Sequence, residues 1–261
     1  MTLILTIIFA GLGLIIGSFL NVVILRLNTQ KTLGGRSACM SCRSTLSWYE
    51  LIPVFSYLGL GGKCKSCQSR ISMQYPLVEL LTGIVFALLF IKFGDLFFYD
   101  SLSFIINYAY YALMCALLIV IAVYDLRHKI IPDILSFVIG GLGFLGIFLF
   151  DHGTLSVHAP SLANFLAGFA VSVPFALLWF LSRGRWMGLG DGKLLVGLGF
   201  LLGMLGVLSA VIFAFWAGGI IGIILLAFSK KYGRKSEVPF APFLILGTFL
   251  VLLCDLYLPL F

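Results

Sequence analysis

The sequence predicts an all-α polytopic membrane protein of about eight transmembrane helices, with one small cytosolic cysteine loop. Composition is the first ground for this: 61% of residues are hydrophobic, 10% are charged and the mean hydropathy is +1.14, outside the range of soluble domains. The second ground is length. Apolar runs that suffice to cross a hydrocarbon layer of about 30 Å as helices occupy 2–25, 76–93, 104–124, 133–150, 162–182, 193–207, 208–228 and 239–259. The third is the cluster of four cysteines in the one sizeable polar segment, 27–75. Three parts follow: a first transmembrane helix over 1–26, the cysteine loop over 27–75, and a transmembrane domain over 76–261.

The first run, "MTLILTIIFAGLGLIIGSFLN", lacks the basic start of a cleaved secretory signal, because its first arginine, Arg26, follows the apolar stretch. Its N-terminus is therefore expected outside. With that orientation Arg26 through Arg70, Arg127, Lys129, Arg183, Arg185 and Lys230 through Lys235 all face the cytosol, and Lys92 alone lies outside. The outer loops carry Asp95, Asp100, Asp151, His152 and His158. The net charge of +7 thus reads as membrane topology, and nucleic acid is disfavoured because the basic residues are scattered over short loops. The boundary between the sixth and seventh spans has only glycines to mark it, and the division is placed near Gly206.

In the loop, "CMSC" supplies Cys39 and Cys42 and "CKSC" supplies Cys64 and Cys67, with 21 residues between the pairs. Each knuckle puts two thiolates on one side of a turn, so the two together offer a tetrahedral four-sulfur zinc site of zinc-ribbon type. Disulfide or redox pairing is the weaker alternative in a reducing cytosol. A metal would close a segment too small to stabilise itself by burial. Cys115 and Cys254 lie in apolar spans, where packing is the default. Between the knuckles, Trp48, Tyr49, Phe55 and Tyr57 suit either a segment lying on the inner membrane surface or a core packed around the metal.

Carboxylates at membrane depth are costly, so each needs a reason. Asp133, directly after Pro132, is explained as a helix start. Asp125, in "VYDLRHKIIPD", ends a span where the helix dipole disfavours negative charge, unless Arg127 or Lys129 pairs with it. Glu79 reads as a buried polar contact without an identified partner, and Asp255 as an interfacial residue. Asp191 stands in "MGLGDGKLL" at the start of the sixth span, on the same side as Asp125. Two carboxylates brought together there share a proton, one acting as base toward water and the other as acid, which is what aspartyl proteolysis requires. Gly188, Gly190 and Gly192 are read as allowing unusual dihedrals and close approach of a substrate backbone.

Together these segments resemble the type IV prepilin peptidases, the GxGD-type membrane aspartyl proteases. The resemblance runs through "GSFLNVVILRL" at 17–27, the two knuckles flanking "WYELIPVFSYL", "CQSRISMQYPLVELLTG" at 67–83, "DLRHKIIPD" at 125–133, "MGLGDGKLL" at 187–195 and "PFAPFLILG" at 239–247. It implies that Asp125 and Asp191 are the catalytic aspartates and that Asp133 is structural. It further implies a bacterial inner-membrane enzyme that cleaves the short basic leader of type IV prepilins or pseudopilins on the cytoplasmic side. Members with the cysteine loop also N-methylate the new N-terminal residue with S-adenosylmethionine. Glu50, between the knuckles, is a candidate for holding that cofactor or a substrate ammonium, against a plain surface charge paired with Arg43 or Lys63. "GLGLIIG" at 11–17 follows no strand and fails as a nucleotide-binding turn. Met40 where proline is frequent, "GLGGKC" without its frequent arginine and Ala241 in place of glycine are departures, two of them in the cysteine loop. A peptidase without methylation, a secondary transporter with intramembrane carboxylates and an inactive assembly scaffold are the alternatives. Client and oligomeric state are not set by the sequence.

Overall fold

A computed structural model of the chain describes residues 1–29, 32–151, 154–185, 187–228 and 238–258. The sequence readings at Lys31, His152 and Lys230–Lys235 lie outside the described residues. The chain forms two compact units, Met1–Asp100 and Ser101–Phe261.

The first unit is built on a helix pair. α1 spans Thr2–Arg26, the short α2 spans Phe55–Gly59 within the cysteine loop, and α3 spans Gln74–Tyr99. Residues small enough for backbones to meet set the α1–α3 approach, as bilayer helices require in the absence of a hydrophobic drive between them. A Cβ on Gly17 would lie 2.7 Å from the Glu79 Cα, and one on Gly13 would lie 2.7 Å from the Phe86 Cβ. Further along the pair, Phe9 stacks on Phe90 with ring centroids 4.7 Å apart.

The second unit contains α4 (Ser101–His128), α5 (Asp133–Leu149), α6 (Leu162–Ser182), α7 (Leu189–Phe228) and α8 (Ala241–Cys254). Among the described residues five helices, α1, α3, α4, α6 and α7, are long and apolar enough to cross a membrane. α5 and α8 have 17 and 14 residues, about 25 and 21 Å at 1.5 Å per residue. A two-residue antiparallel pairing, β1 (Phe150–Asp151) with β2 (Thr154–Leu155), closes the turn after α5.

α7 is the hub, packed against α5, α6 and α8. Its contact with α6 is a glycine-to-glycine approach, Gly199 against Gly168, where neither position has room for a Cβ. The predicted break near Gly206 falls instead at Gly203, whose φ of 69° and ψ of −178° belong to a region open essentially to glycine alone. Gly206 stays helical and buried, facing Val251. The amide freed by the break, Met204 N–H, donates to Asn164 Oδ1 at 3.2 Å, so α6 caps the second half of α7. Counting α7 as two halves gives eight apolar helical segments among the described residues, as the hydropathy pattern predicts.

Candidate active site and metal centre

α4 and α7 bring the two predicted aspartates together. α4 stops where Lys129 adopts a left-handed φ of 54° and its N–H returns to the Asp125 carbonyl at 2.7 Å. That turn leaves Asp125 on the last helical turn. The chain crosses through Ile131 and Pro132 into α5, and Ile131 seats against Gly190: a Cβ there would lie 3.0 Å from the Ile131 Cβ. Asp191 therefore stands in the first turn of α7 beside the α4–α5 connection. Asp125 and Asp191 are only 5% and 7% exposed and lie within each other's electrostatic reach. The Asp125 carboxylate also accepts from the backbone N–H of Ala241, at the start of α8. This contact, rather than Arg127 or Lys129, answers the helix-dipole problem posed by the sequence, since a second helix offers its positive end to the carboxylate.

The three glycines take separate parts. None of Gly188, Gly190 and Gly192 adopts a left-handed φ, so the reading that they supply unusual dihedrals is corrected. Gly190 is required by Ile131, and Gly192 leaves ordinary contact distance to Phe175. At Gly188 the nearest atom to an added Cβ is an Asp191 carboxylate oxygen at 3.6 Å, so the missing side chain leaves that oxygen uncovered. One interaction was missed in the sequence. Lys193 Nζ donates to Asp133 Oδ1 at 2.7 Å, tying the starts of α5 and α7 next to the carboxylate pair. Its only sequence signal was a lysine two places after Asp191.

The four cysteines of the loop converge, with all four sulfurs within 4.8 Å of one another and none in a disulfide. The two knuckles are built alike. Cys39 N–H donates to Ser44 O and Cys64 N–H to Ser69 O, both at 2.9 Å, and each turn closes on a left-handed residue, Arg43 or Gln68. The Sγ separations of Cys39–Cys67 and Cys42–Cys64 are 3.8 and 4.0 Å. A zinc ion with Zn–S bonds of about 2.3 Å needs tetrahedral edges of about 3.8 Å, so the donor set fits such a metal. The backbone N–H groups of Cys42 and Ser41 lower the Cys39 thiol to about 6, and the Ser69 hydroxyl and backbone lower Cys67, both favouring the thiolate.

Other carboxylates of this unit have local roles. Glu50 Oε2 accepts from Ser47 N–H at 2.8 Å in a capping box that closes the turn Trp48–Leu51. Glu79, buried on α3, receives Val54 N–H at 2.7 Å and bonds to Ser18, which identifies the partners the sequence left open. The aromatic stretch does not form a core around the knuckles: Trp48 is 78% exposed, and Phe55 and Leu58 are likewise exposed.

Fold and site define a polytopic helical membrane protein with a buried two-carboxylate centre and a four-thiol knuckle. Known proteins are similar to this chain in sequence. Residues 12–93 match the model of the bacterial peptidase A24 N-terminal domain, and residues 112–223 match that of the type IV leader peptidase family. A prepilin leader peptidase/N-methyltransferase of Myxococcus xanthus is 34% identical over 87% of this chain, which spans 64% of that protein. Proteins of the same name from Xanthomonas campestris and Bacillus subtilis are each 33% identical, over 93% and 92% of this chain and 88% and 91% of their own lengths. No solved structure matches. The chain belongs to the type IV leader peptidase family and is an integral membrane protein. Nothing in these matches supports the transporter alternative.

Proposed function

We propose that this chain removes the short basic leader of a prepilin or pseudopilin at the cytoplasmic side of a bacterial inner membrane, with Asp125 and Asp191 as the catalytic pair, and N-methylates the new N-terminus. The observation that carries the proteolytic reading is the burial of both carboxylates within reach of each other, contributed by the end of α4 and the start of α7. Like charges so placed hold one proton between them. The ionised carboxylate takes a proton from water as the water oxygen attacks the scissile carbonyl, and the protonated partner delivers its proton to the carbonyl oxygen. Collapse of the resulting diol breaks the C–N bond, and the leaving amine takes a proton from the pair. Gly188 keeps the Asp191 oxygen open to the substrate backbone. Sidedness rests on the distribution of Lys and Arg among the loops.

Cys39, Cys42, Cys64 and Cys67 would hold zinc as a structural ion, closing a loop whose apolar side chains are largely exposed. Methyl transfer is supported by the names of the relatives. S-adenosylmethionine, when bound, supplies the methyl group, yet neither feature weighed for it forms a cradle. Glu50 caps its own turn, and Gly13 and Gly17 pack against α3.

The test is to incubate membranes containing the chain with a prepilin and to read intact mass and N-terminal sequence. Leader loss with one added methyl supports both activities, and leader loss alone restricts the chain to a peptidase. No leader loss by the parent chain rejects the proposal.

A further inference from the structure

Asp133 and Lys193 form an ion pair in an unusual place. The pair bridges the first residue of α5 and the fifth residue of α7, two positions from Asp191 and one from Pro132, whose neighbour Ile131 touches Gly190. It therefore lies at the rim of the carboxylate centre. Asp133 is 61% exposed and Lys193 32% exposed, while the other acidic groups described at this end of the unit, Asp125 and Asp191, are buried. Asp133 is thus the accessible carboxylate beside the reacting pair.

The pair is also built to exchange. An ion pair in solvent adds little to stability, so the substitution of one ammonium for another costs little. A lysine near the start of a helix draws no support from its dipole, so Lys193 gains nothing from α7 itself. Released from Asp133, its ammonium retains the Phe137 ring, whose centroid lies 5.9 Å away. Around the pair the connection carries Arg127 and Lys129, which repel a cationic substrate segment. Among the described residues of this rim, a basic leader meets one exposed group of opposite charge.

We propose that Asp133 is a specificity-determining residue, which accepts a lysine or arginine of the substrate's leader in place of Lys193 and so sets the register of the scissile bond over Asp125 and Asp191. The inference rests on the proteolytic reading above. The competing account is a purely structural tie between α5 and α7, and a charge swap separates the two. Cleavage of a prepilin with its basic leader is compared with cleavage of the same prepilin carrying glutamine at the basic positions and a third carrying glutamate there. The enzymes are the parent, Asp133→Asn, and the double variant Asp133→Lys with Lys193→Asp, each in membranes.

The parent should favour the basic leader over the glutamine leader in kcat/KM by at most about fivefold, the worth of one exposed charge pair, because the leader's pair with Asp133 replaces that of Lys193. Asp133→Asn should erase that preference through KM. The swapped pair restores the tie with the opposite charge on α5, and should favour the acidic leader over the basic one. A swap that regains the parent's preference for basic leaders overturns the inference and leaves a structural tie. A parent that cuts basic and glutamine leaders equally overturns the inference alone, whereas a parent that cuts none of the three overturns the proteolytic reading and this inference with it.

Discussion

Asp125 and Asp191 differ from Glu50, Glu79 and Asp133 in what surrounds them. Glu50 is engaged by Ser47 N–H, Glu79 by Val54 N–H and Asp133 by Lys193, so each has a direct structural partner. The two aspartates face each other from separate helices, and the group given to Asp125 is the amide of Ala241. Exchange of either for asparagine keeps the shape and removes the proton traffic. Asp125→Asn and Asp191→Asn should each lower leader removal at least about a thousandfold, as loss of a member of a catalytic unit does, measured by the rate of leader loss in intact mass. A second expectation concerns Cys39. Its thiol is lowered from 9.0 to about 6, first by the Cys42 amide, so its thiolate persists as pH falls from 9.0 and is lost on passing about 6. In the metal-stripped chain, iodoacetamide labelling of Cys39 should rise with a midpoint near pH 6, and added zinc should block it at pH 7. A midpoint near 9 would remove the claim that the turn amides prepare the sulfur.

Helix continuity decides how these residues meet. The helical stretch Leu189–Phe228 runs from the carboxylate pair to the far end of α7, interrupted only at Gly203. The break redirects the second half of α7, and Asn164 of α6 replaces the hydrogen bond that the break frees. Alanine at this position meets both a forbidden backbone region and the Asn164 carboxamide, 2.9 Å from its Cβ. Gly203→Ala should therefore destabilise the chain by about 1–3 kcal/mol, read as a lower melting temperature in detergent. Gly206→Ala meets the Leu202 Cβ and the Val251 methyl and no backbone penalty, so it should cost less. The reverse order would place the break where hydropathy alone put it. In the cysteine loop, Val54 holds a left-handed φ of 62°, costly for a β-branched residue, and Glu79 fixes it there through its amide.

At the scale of the molecule, the carboxylate pair belongs to Ser101–Phe261 and the four thiols to Met1–Asp100. That division predicts separable losses. Changing all four loop cysteines to serine should abolish methylation while leader removal persists, followed as products differing by one methyl in intact mass. Loss of both together would mean that the loop is needed for the proteolytic centre to form. The sequence by itself determined the class of fold, because a bilayer demands long apolar helices whatever their arrangement, and eight such segments were legible by length. It also determined the ribbon, since two Cys-x-x-Cys turns repeat one local geometry that needs no distant partner. Tertiary structure alone decided that Ala241 faces Asp125, that Lys193 reaches Asp133, that Ile131 seats against Gly190, and that α7 turns at Gly203. Each of these depends on which helix faces which and at what rotation. In an apolar chain hydropathy is nearly uniform around every helix, so only packing between small residues fixes that rotation.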